Sequence, residues 1–141
     1  MITLRHVGLI VDDIETSLKL YRDILGFVPE VDQVENGEFF EHLTGIASGE
    51  ARTCKCYAED GSCIELIEFY SHNNTKRNKE LLGEGFNHIA LNVQGLDSLY
   101  KDLLEFGMDF VGEPKFNDHK TAKVCFCKDK EGNLLELVEL F

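Results

Sequence analysis

In the first part of the chain, the spacing of apolar residues changes from the alternation typical of a strand to the spacing typical of a helix. Apolar and polar positions alternate from Ile2 to Val11, with β-branched residues among them, and this predicts a β-strand. The next apolar residues have helical spacing, at Ile14, Leu18, Tyr21 and Leu25. Asp12 or Asp13 is suited to cap this helix, and Gly26 stands where a left-handed residue would end it. The pattern therefore predicts a strand followed by a helix.

The second part of the chain repeats the same pattern. A strand is predicted over Asn87–Val93, and a helix from about Leu96 to its end at Gly107. In both parts, further alternating segments lead to a hairpin, with turns at 59–61 and 130–132 where an acidic residue precedes glycine. We therefore expect an α+β fold with the element order β-α-β-β-β, twice.

Two stretches of the first part recur in the second. Thr53–Phe69 aligns without gaps on Val124–Leu140, and Arg5–Glu15 aligns on Asn87–Asp97. The two alignments have different offsets, so the first part carries extra residues between its matched segments. The expected division is a first βαβββ module at 1–72 with an insertion at about 32–52, a linker at 73–83 and a second βαβββ module at 84–141.

The insertion and the linker have patterns of their own. Residues 39–45 (FFEHLTG) are typical of a short helix or a lid. The region 71–85 is polar and basic, with a turn of helix predicted at 79–82. It contains Lys76, Arg77 and Lys79. Such a cluster either binds one phosphate or carboxylate of a small ligand or is a solvated helix face.

The alignment pairs two histidines and two glutamates. His6 falls on His88, near the start of each first strand, and Glu65 falls on Glu136, in each last strand. Alternation places Glu65 among apolar neighbours, where an unpaired carboxylate is costly and a cation is the usual remedy. Two imidazoles and two carboxylates suit a divalent transition metal with open positions for substrate. A single strand histidine is more often an ordinary polar residue, and the repetition is also compatible with duplicated packing.

The other cysteines and histidines offer weaker alternatives. The pairs Cys54/Cys56 and Cys125/Cys127 are interpreted as small buried hydrophobic residues, with a thiolate site as the alternative. The remaining histidines lie in segments without a matched partner, and we expect them at the surface, although His42 or His119 could also touch a substrate. They are His42, His72 and His119.

Composition limits the classes of function. The 141 residues carry a net charge of −12, which disfavours nucleic acid as a partner. No apolar run is long enough to span a membrane, and residues 1–5 lack the pattern of a secretory signal. Five cysteines cannot all pair within the chain, so we expect free thiols in a cytoplasmic protein.

Three segments resemble one known superfamily. They are RHVGLIVDDIETSLKLYRDILGF from residue 5, GFNHIALNV from residue 85 and EGNLLELVE from residue 131. They are similar to the vicinal-oxygen-chelate superfamily of glyoxalases, bleomycin resistance proteins and extradiol dioxygenases. The resemblance implies paired βαβββ modules that form an open, cup-shaped mixed sheet around a metal, commonly in homodimers.

The resemblance also implies a ligand set and a class of reaction. The superfamily's four metal positions carry over to His6, Glu65, His88 and Glu136. The metal would be nickel, zinc, cobalt, manganese or iron. The implied function is a glyoxalase-type lyase or isomerase that acts on a small carbonyl substrate through a metal-stabilised enolate, with Glu65 or Glu136 as the catalytic base.

Other activities of the superfamily remain as alternatives. Residues 83–91 (GEGFNHIAL) resemble epimerases of acyl-CoA substrates. Extradiol-type dioxygenases use two histidines and one glutamate, so a glutamate at position 65 argues against them. Resistance proteins that only bind a drug typically lack the ligands that are present here. Glyoxalase I tends to carry an arginine and an asparagine that bind glutathione at the positions that Ile10 and Phe69 occupy here. At these two positions the sequence therefore departs from the glutathione-binding pattern.

Overall fold

The computed structural model describes residues 1–76 and 79–141, which fall into two compact units. The first unit comprises residues 1–76 and the second begins at residue 77. Each unit contains helices and one mixed sheet, so the predicted α+β class is confirmed, with two sheets where the resemblance implied one. The predicted module and linker bounds, 1–72, 73–83 and 84–141, stay a prediction.

The first unit has four strands and two helices. Strands β3 and β4 form a hairpin, β2 extends the sheet antiparallel to β3, and β1 pairs with β4 in parallel. The strand order is β1-β4-β3-β2. The elements are β1 Val7–Ile10, α1 Ile14–Tyr21, β2 Val28–Glu35, α2 Gly37–Thr44, β3 Ala51–Tyr57 and β4 Cys63–Phe69.

The second unit repeats this topology with a shorter outer strand. Its order is β5-β9-β8-β6, with β7 also paired to β8, and β5 is parallel to β9. The predicted single strand before the hairpin is split into β6 and β7, and Pro114, which has no N–H to donate, lies between them. The elements are β5 His88–Asn92, α3 Leu96–Phe106, β6 Asp109–Phe110, β7 Lys115–Phe116, β8 Ala122–Lys128 and β9 Leu134–Leu140.

In each unit, the helix that follows the first strand begins next to a glutamate of the last strand: α1 next to β4, and α3 next to β9. The N–H of Ile14 donates to Glu68 Oε2 at 3.0 Å. In the second unit, the N–H groups of Gly95 and Leu96 donate to the two carboxylate oxygens of Glu139, at 2.6 and 3.1 Å. A carboxylate satisfies N–H groups that have no partner within the helix and complements the positive end of the helix dipole. The strand therefore fixes where its helix starts.

The two faces of each sheet have different roles. Helix α1 contacts β4 and helix α3 contacts β9. We call the face that carries Glu68 or Glu139 the helix face, and the face that carries Glu65 or Glu136 the site face, because strand side chains alternate. The buried strand residues of the helix face include Cys54, Cys56, Ile64 and Leu66 in the first unit, and Cys125, Cys127, Leu135 and Leu137 in the second.

Most predicted elements are confirmed, with shorter bounds. Strand β1 starts at Val7 rather than Ile2 because its ladder with β4 starts at the Val7–Ile64 pair. Asp13 caps α1 by accepting the N–H of Thr16 at 2.5 Å. The helix ends at Tyr21, and a further turn leads to Gly26, which has φ 76°.

The later turns and the insertion also follow the pattern. The end of α3 at Gly107, with φ 90°, is confirmed, and so are the two hairpin turns with positive φ at Gly61 and Gly132. The short helix predicted around residues 39–45 is α2. The turn of helix predicted at 79–82 is wrong, because residues 79–80 have no regular structure and residues 81–82 form a turn closed by the hydrogen bond from Gly83 N–H to the carbonyl of Glu80. Within residues 1–76 and 79–141, no helix is long and apolar enough to span a membrane.

Candidate metal-binding residues

Glu65 lies in the middle of β4, buried, and its two oxygens contact different partners. Its cross-strand neighbours are Gly8 on β1 and Lys55 on β3. Oε2 lies 3.1 Å from Nε2 of His6, which directly precedes β1, and Oε1 lies 2.5 Å from Nζ of Lys55. We call His6 and Glu65 the first pair. Nδ1 of His6 is buried and has no hydrogen-bond partner among the described residues.

Glu136 occupies the corresponding place in β9. Its cross-strand neighbours are Ala90 on β5 and Phe126 on β8. Oε2 lies 3.5 Å from Nε2 of His88, the first residue of β5. We call His88 and Glu136 the second pair. Phe126 meets the His88 ring edge-on, with centroids 5.2 Å apart and an interplanar angle of 83°.

The side chain of Asn87 sets the orientation of His88. Its amide nitrogen donates to the carbonyl oxygens of Glu80 and Leu81, at 3.3 and 2.8 Å. Its amide oxygen therefore faces Nδ1 of His88, 3.0 Å away, and accepts a hydrogen bond from the N–H group there. In a neutral ring, Nε2 then presents its lone pair toward the carboxylate of Glu136. Two facing lone pairs repel each other, and a divalent metal ion between them would remove this repulsion.

Within each pair, the nitrogen of the histidine and the oxygen of the glutamate are as far apart as two ligand atoms on the same metal ion. Nitrogen and oxygen ligands lie about 2.0–2.2 Å from zinc, so two of them are about 3.0 Å apart at a right angle and about 3.4 Å apart at the tetrahedral angle. The observed separations are 3.1 Å in the first pair and 3.5 Å in the second. Metal-binding histidines usually donate their other ring N–H to an oxygen, as His88 does to Asn87. The residues present therefore fit a divalent metal.

The structure brings each histidine together with the glutamate of its own unit. Within each unit, considering residues 1–76 and 79–141, no group of three or more histidine, cysteine, aspartate or glutamate side chains comes together as a metal cluster. Each pair is thus at most half of a four-ligand set. The prediction that all four residues bind one metal stays a prediction.

The other residues considered in the sequence lie apart from the pairs. His42 is exposed on α2, and His72 is exposed and hydrogen-bonds the hydroxyl of Ser71 at 2.7 Å. His119 is exposed in the loop between β7 and β8. In the basic cluster, Lys76 pairs with Asp12 at 2.7 Å and Lys79 donates to the carbonyl of Glu131 at 2.9 Å, while Arg77 lies outside the described residues.

The interpretation of the cysteines as buried hydrophobic residues is confirmed. All five thiols are free and buried, and the matched pairs Cys54/Cys56 and Cys125/Cys127 lie on the helix face. Burial raises the pKa of Cys56 and of Cys127 to about 12 in each case. A thiol with such a pKa is a poor nucleophile and a poor metal ligand at neutral pH, because the thiolate is the reactive form.

Lys55 contacts Glu65 and was not predicted from the sequence to lie at the site. Its side chain is 15% exposed, and its hydrogen bond to Glu65 is the largest cause of its raised pKa. A signal was available in the sequence. A hairpin that turns at residues 59–61 pairs position 55 with position 65, so a lysine between Cys54 and Cys56 had to share the face of Glu65.

Comparison with known proteins identifies the family. The model of the Glyoxalase/Bleomycin resistance protein/Dioxygenase superfamily matches residues 3–137, and the chain belongs to this superfamily. A probable lactoylglutathione lyase from Synechocystis sp. is 30% identical over 137 residues, which cover 96% of this chain and 94% of that protein.

Solved structures support the fold. The glyoxalase family protein from Bacillus cereus matches with a TM-score of 0.91 at 21% identity, over 100% of this chain and 95% of that one. The fosfomycin resistance protein FosX from Listeria monocytogenes, complexed with Mn(II) and sulfate, matches with a TM-score of 0.65 at 18% identity, over 100% and 95%. At these identities the similarity shows the shared fold alone.

Proposed function

We propose that this protein is a divalent-metal-dependent lyase or isomerase that acts on a small carbonyl compound, with His6, Glu65, His88 and Glu136 as the metal ligands. The observation that carries the proposal is the orientation of His88. Asn87 binds its Nδ1, so Nε2 is directed at the carboxylate of Glu136, 3.5 Å away. The 3.1 Å spacing in the first pair supports the same role for His6 and Glu65.

The reaction that suits these residues is proton transfer next to a carbonyl group. A bound divalent metal would supply Lewis-acid stabilisation of negative charge on two neighbouring substrate oxygens. A glutamate then accepts the proton of the adjacent C–H bond, and the electron pair of that bond moves toward the carbonyl oxygen to form an enolate. Return of the proton to the same or to a neighbouring carbon completes an isomerisation without any oxidant.

The site face around Glu65 favours an apolar substituent on the substrate. Ile67 and Ile10 are cross-strand neighbours two residues along the ladder from Glu65 and Gly8, on the same face. Phe69 lies further along the same face and packs against Phe40 of α2, with ring centroids 6.3 Å apart. Apolar walls beside a carboxylate exclude water and strengthen electrostatic interactions there. We therefore propose a small substrate with an apolar group, without a glutathione arm at Ile10 and Phe69.

Metal titration is the experiment that tests this function. Stripped protein is titrated calorimetrically with nickel, zinc, manganese and cobalt, beside His6→Ala and His88→Ala. The exposed histidines serve as matched controls, in His42→Ala and His119→Ala. We expect one tight site per chain that both paired variants lose and both controls keep. A site that survives in either paired variant contradicts the ligand set.

Proton exchange then separates an isomerase from a protein that only binds its ligand. Methylglyoxal, with and without glutathione, is incubated with the metal-loaded protein in D2O, and deuterium incorporation is followed by NMR. A metal-dependent exchange that does not need glutathione supports the proposal. Exchange only with glutathione overturns the substrate assignment but keeps the reaction class.

The expected homodimer also stays a prediction, which size-exclusion chromatography with light scattering tests.

A further inference from the structure

Lys55 and Glu65 form a charged contact that is largely shielded from solvent. Their side chains are 15% and 11% exposed, and Nζ lies 2.5 Å from Oε1. They are directly opposite each other on the antiparallel strands β3 and β4. Charge-assisted hydrogen bonds are stronger and shorter than neutral ones, and removing one partner leaves the other charge uncompensated. Glu65 is therefore held through Oε1 while Oε2 faces His6.

In the second unit a neighbouring residue restrains the histidine of the pair and not the glutamate. Phe126 stands at the position of Lys55, so a ring instead of a cation faces Glu136. In the part of the chain that the structure describes, His88 is the only basic side chain in contact with Glu136, and the Glu136 side chain is 25% exposed. His88 is the member that is fixed, by Asn87. Glu136 thus has freedom to turn that Glu65 lacks.

We propose that Lys55 is a positioning residue that restricts Glu65 to one metal-binding oxygen, Oε2, and so leaves proton transfer to Glu136. The inference rests on the function proposed above. A carboxylate that acts as base must turn an oxygen toward the substrate carbon, and Glu65 would have to break its contact with Lys55 to do so. The proton of the substrate C–H bond passes to Glu136, and the same carboxyl group returns it.

Bound cobalt reports the environment of Glu65 without any substrate. The visible absorption bands of Co(II) depend on how many ligand atoms surround the ion and on their arrangement. Carboxylates bind metals through one oxygen or through two. Lys55→Met removes the charge and keeps the chain length, so Oε1 becomes free to join Oε2 on the metal. Lys55→Arg keeps a cation at the same place.

Lys123→Met is the matched control. Lys123 also lies on a central strand, is 14% exposed and pairs with a carboxylate at 2.5 Å, that of Asp97. This pair joins strand β8 to the first turn of α3, on the helix face. Its loss removes a similar ion pair without touching Glu65 or Glu136, so any general loss of stability would affect both methionine variants.

We expect stripped wild-type protein, Lys55→Arg and Lys123→Met to bind Co(II) with the same visible spectrum. In Lys55→Met the bands should lose intensity, because a ligand set with one more oxygen absorbs more weakly. A Lys55→Met spectrum identical to that of the wild type, with cobalt bound, overturns the role of Lys55 and leaves the proposed function standing. Failure of wild-type protein to bind cobalt overturns the metal site itself and this inference with it.

Discussion

The two units share their helix faces and differ on their site faces. On the helix face, Cys54, Cys56 and Leu66 have identical counterparts in Cys125, Cys127 and Leu137. On the site face the histidine, the glutamate and one alanine, Ala51 in the first unit and Ala122 in the second, are kept. Of the other matched positions there, Lys55 and Thr53 are replaced by Phe126 and Val124, and Ile10 by Asn92. The duplicated fold is thus retained where it packs against a helix, and it diverges around the two pairs.

The two pairs differ in which of their members is held by a neighbouring side chain. In the first pair a third residue, Lys55, holds the glutamate, while Nδ1 of His6 has no partner among the described residues. In the second pair Asn87 holds the histidine, and Glu136 has no such lysine. A symmetric ligand set is therefore expected to have asymmetric chemistry, with one fixed and one mobile carboxylate.

The largest expected effect comes from removing the mobile carboxylate. Glu136→Gln should lower the rate of substrate proton exchange by about 10²- to 10⁴-fold, the range that a general base contributes. Exchange is measured by NMR in D2O on protein whose metal content has been determined. If Glu65 takes over when it is released, adding Lys55→Met to Glu136→Gln should restore part of the exchange. Equal rates for Glu136→Gln and wild type would show that Glu136 is not the base.

A smaller effect is expected when the second pair is made to resemble the first. Phe126→Lys places a cation opposite Glu136, and we expect exchange to fall by about tenfold or more because the base is now held in place. Calorimetry should still find one metal site. Phe126→Leu is the control for the loss of the ring contact with His88. A rate for Phe126→Lys that matches Phe126→Leu would contradict the distinction between fixed and mobile carboxylates.

The capping glutamates should affect stability unequally. Glu139 accepts two N–H groups at the start of α3, where the capping residue Gly95 has no side chain, whereas Glu68 accepts one and α1 also has Asp13. We expect Glu139→Ala to lower the free energy of unfolding by about 1–2 kcal/mol, and Glu68→Ala by less than about 1 kcal/mol. Urea unfolding measures both. The reverse order would mean that these contacts do not determine helix stability.

The smallest effect concerns the ion pairs that tie the third strand of each module to its helix. Arg52 contacts Glu15 and Asp32, and its hydrogen bonds lower the pKa of Asp32 below the ordinary value of 3.8. Arg52→Met should therefore cost about 1 kcal/mol or less at neutral pH, because both carboxylates are largely solvated.

The acid dependence of this effect has a definite sign. A carboxylate with a lowered pKa stabilises the fold above its ordinary pKa, and that contribution is lost as the pH falls through the lowered value. The difference in unfolding free energy between wild type and Arg52→Met should therefore be constant above about pH 5 and shrink as the pH falls from there through 3.8. The matching variant Lys123→Met, in the other unit, provides the comparison. A difference that grows in acid would exclude the contact with Asp32 as its cause.

Much of the fold and part of the candidate site follow from the sequence. Alternation, the glycine turns and the internal repeat predict the hairpins, the helices and the face of Glu65, because each depends on local geometry. The start of β1 was wrong because it depends on where β4 offers a parallel partner, which is a long-range property. The hydrogen bonds from Asn87 to two carbonyls depend on how the segment before β5 turns, and no pattern of single residues predicts that turn.

Alternation along β4 and β9 has a practical consequence for protein engineering. One strand carries both a carboxylate directed at the helix start and, three residues away, a carboxylate of the candidate site, on opposite faces. Libraries that vary only positions 53 and 67, together with 124 and 138, would sample new substrate preferences while the residues of the helix face stay unchanged. In such a scaffold, neighbouring residues of one strand differ in role: one residue maintains the fold and the next can be changed to alter the site.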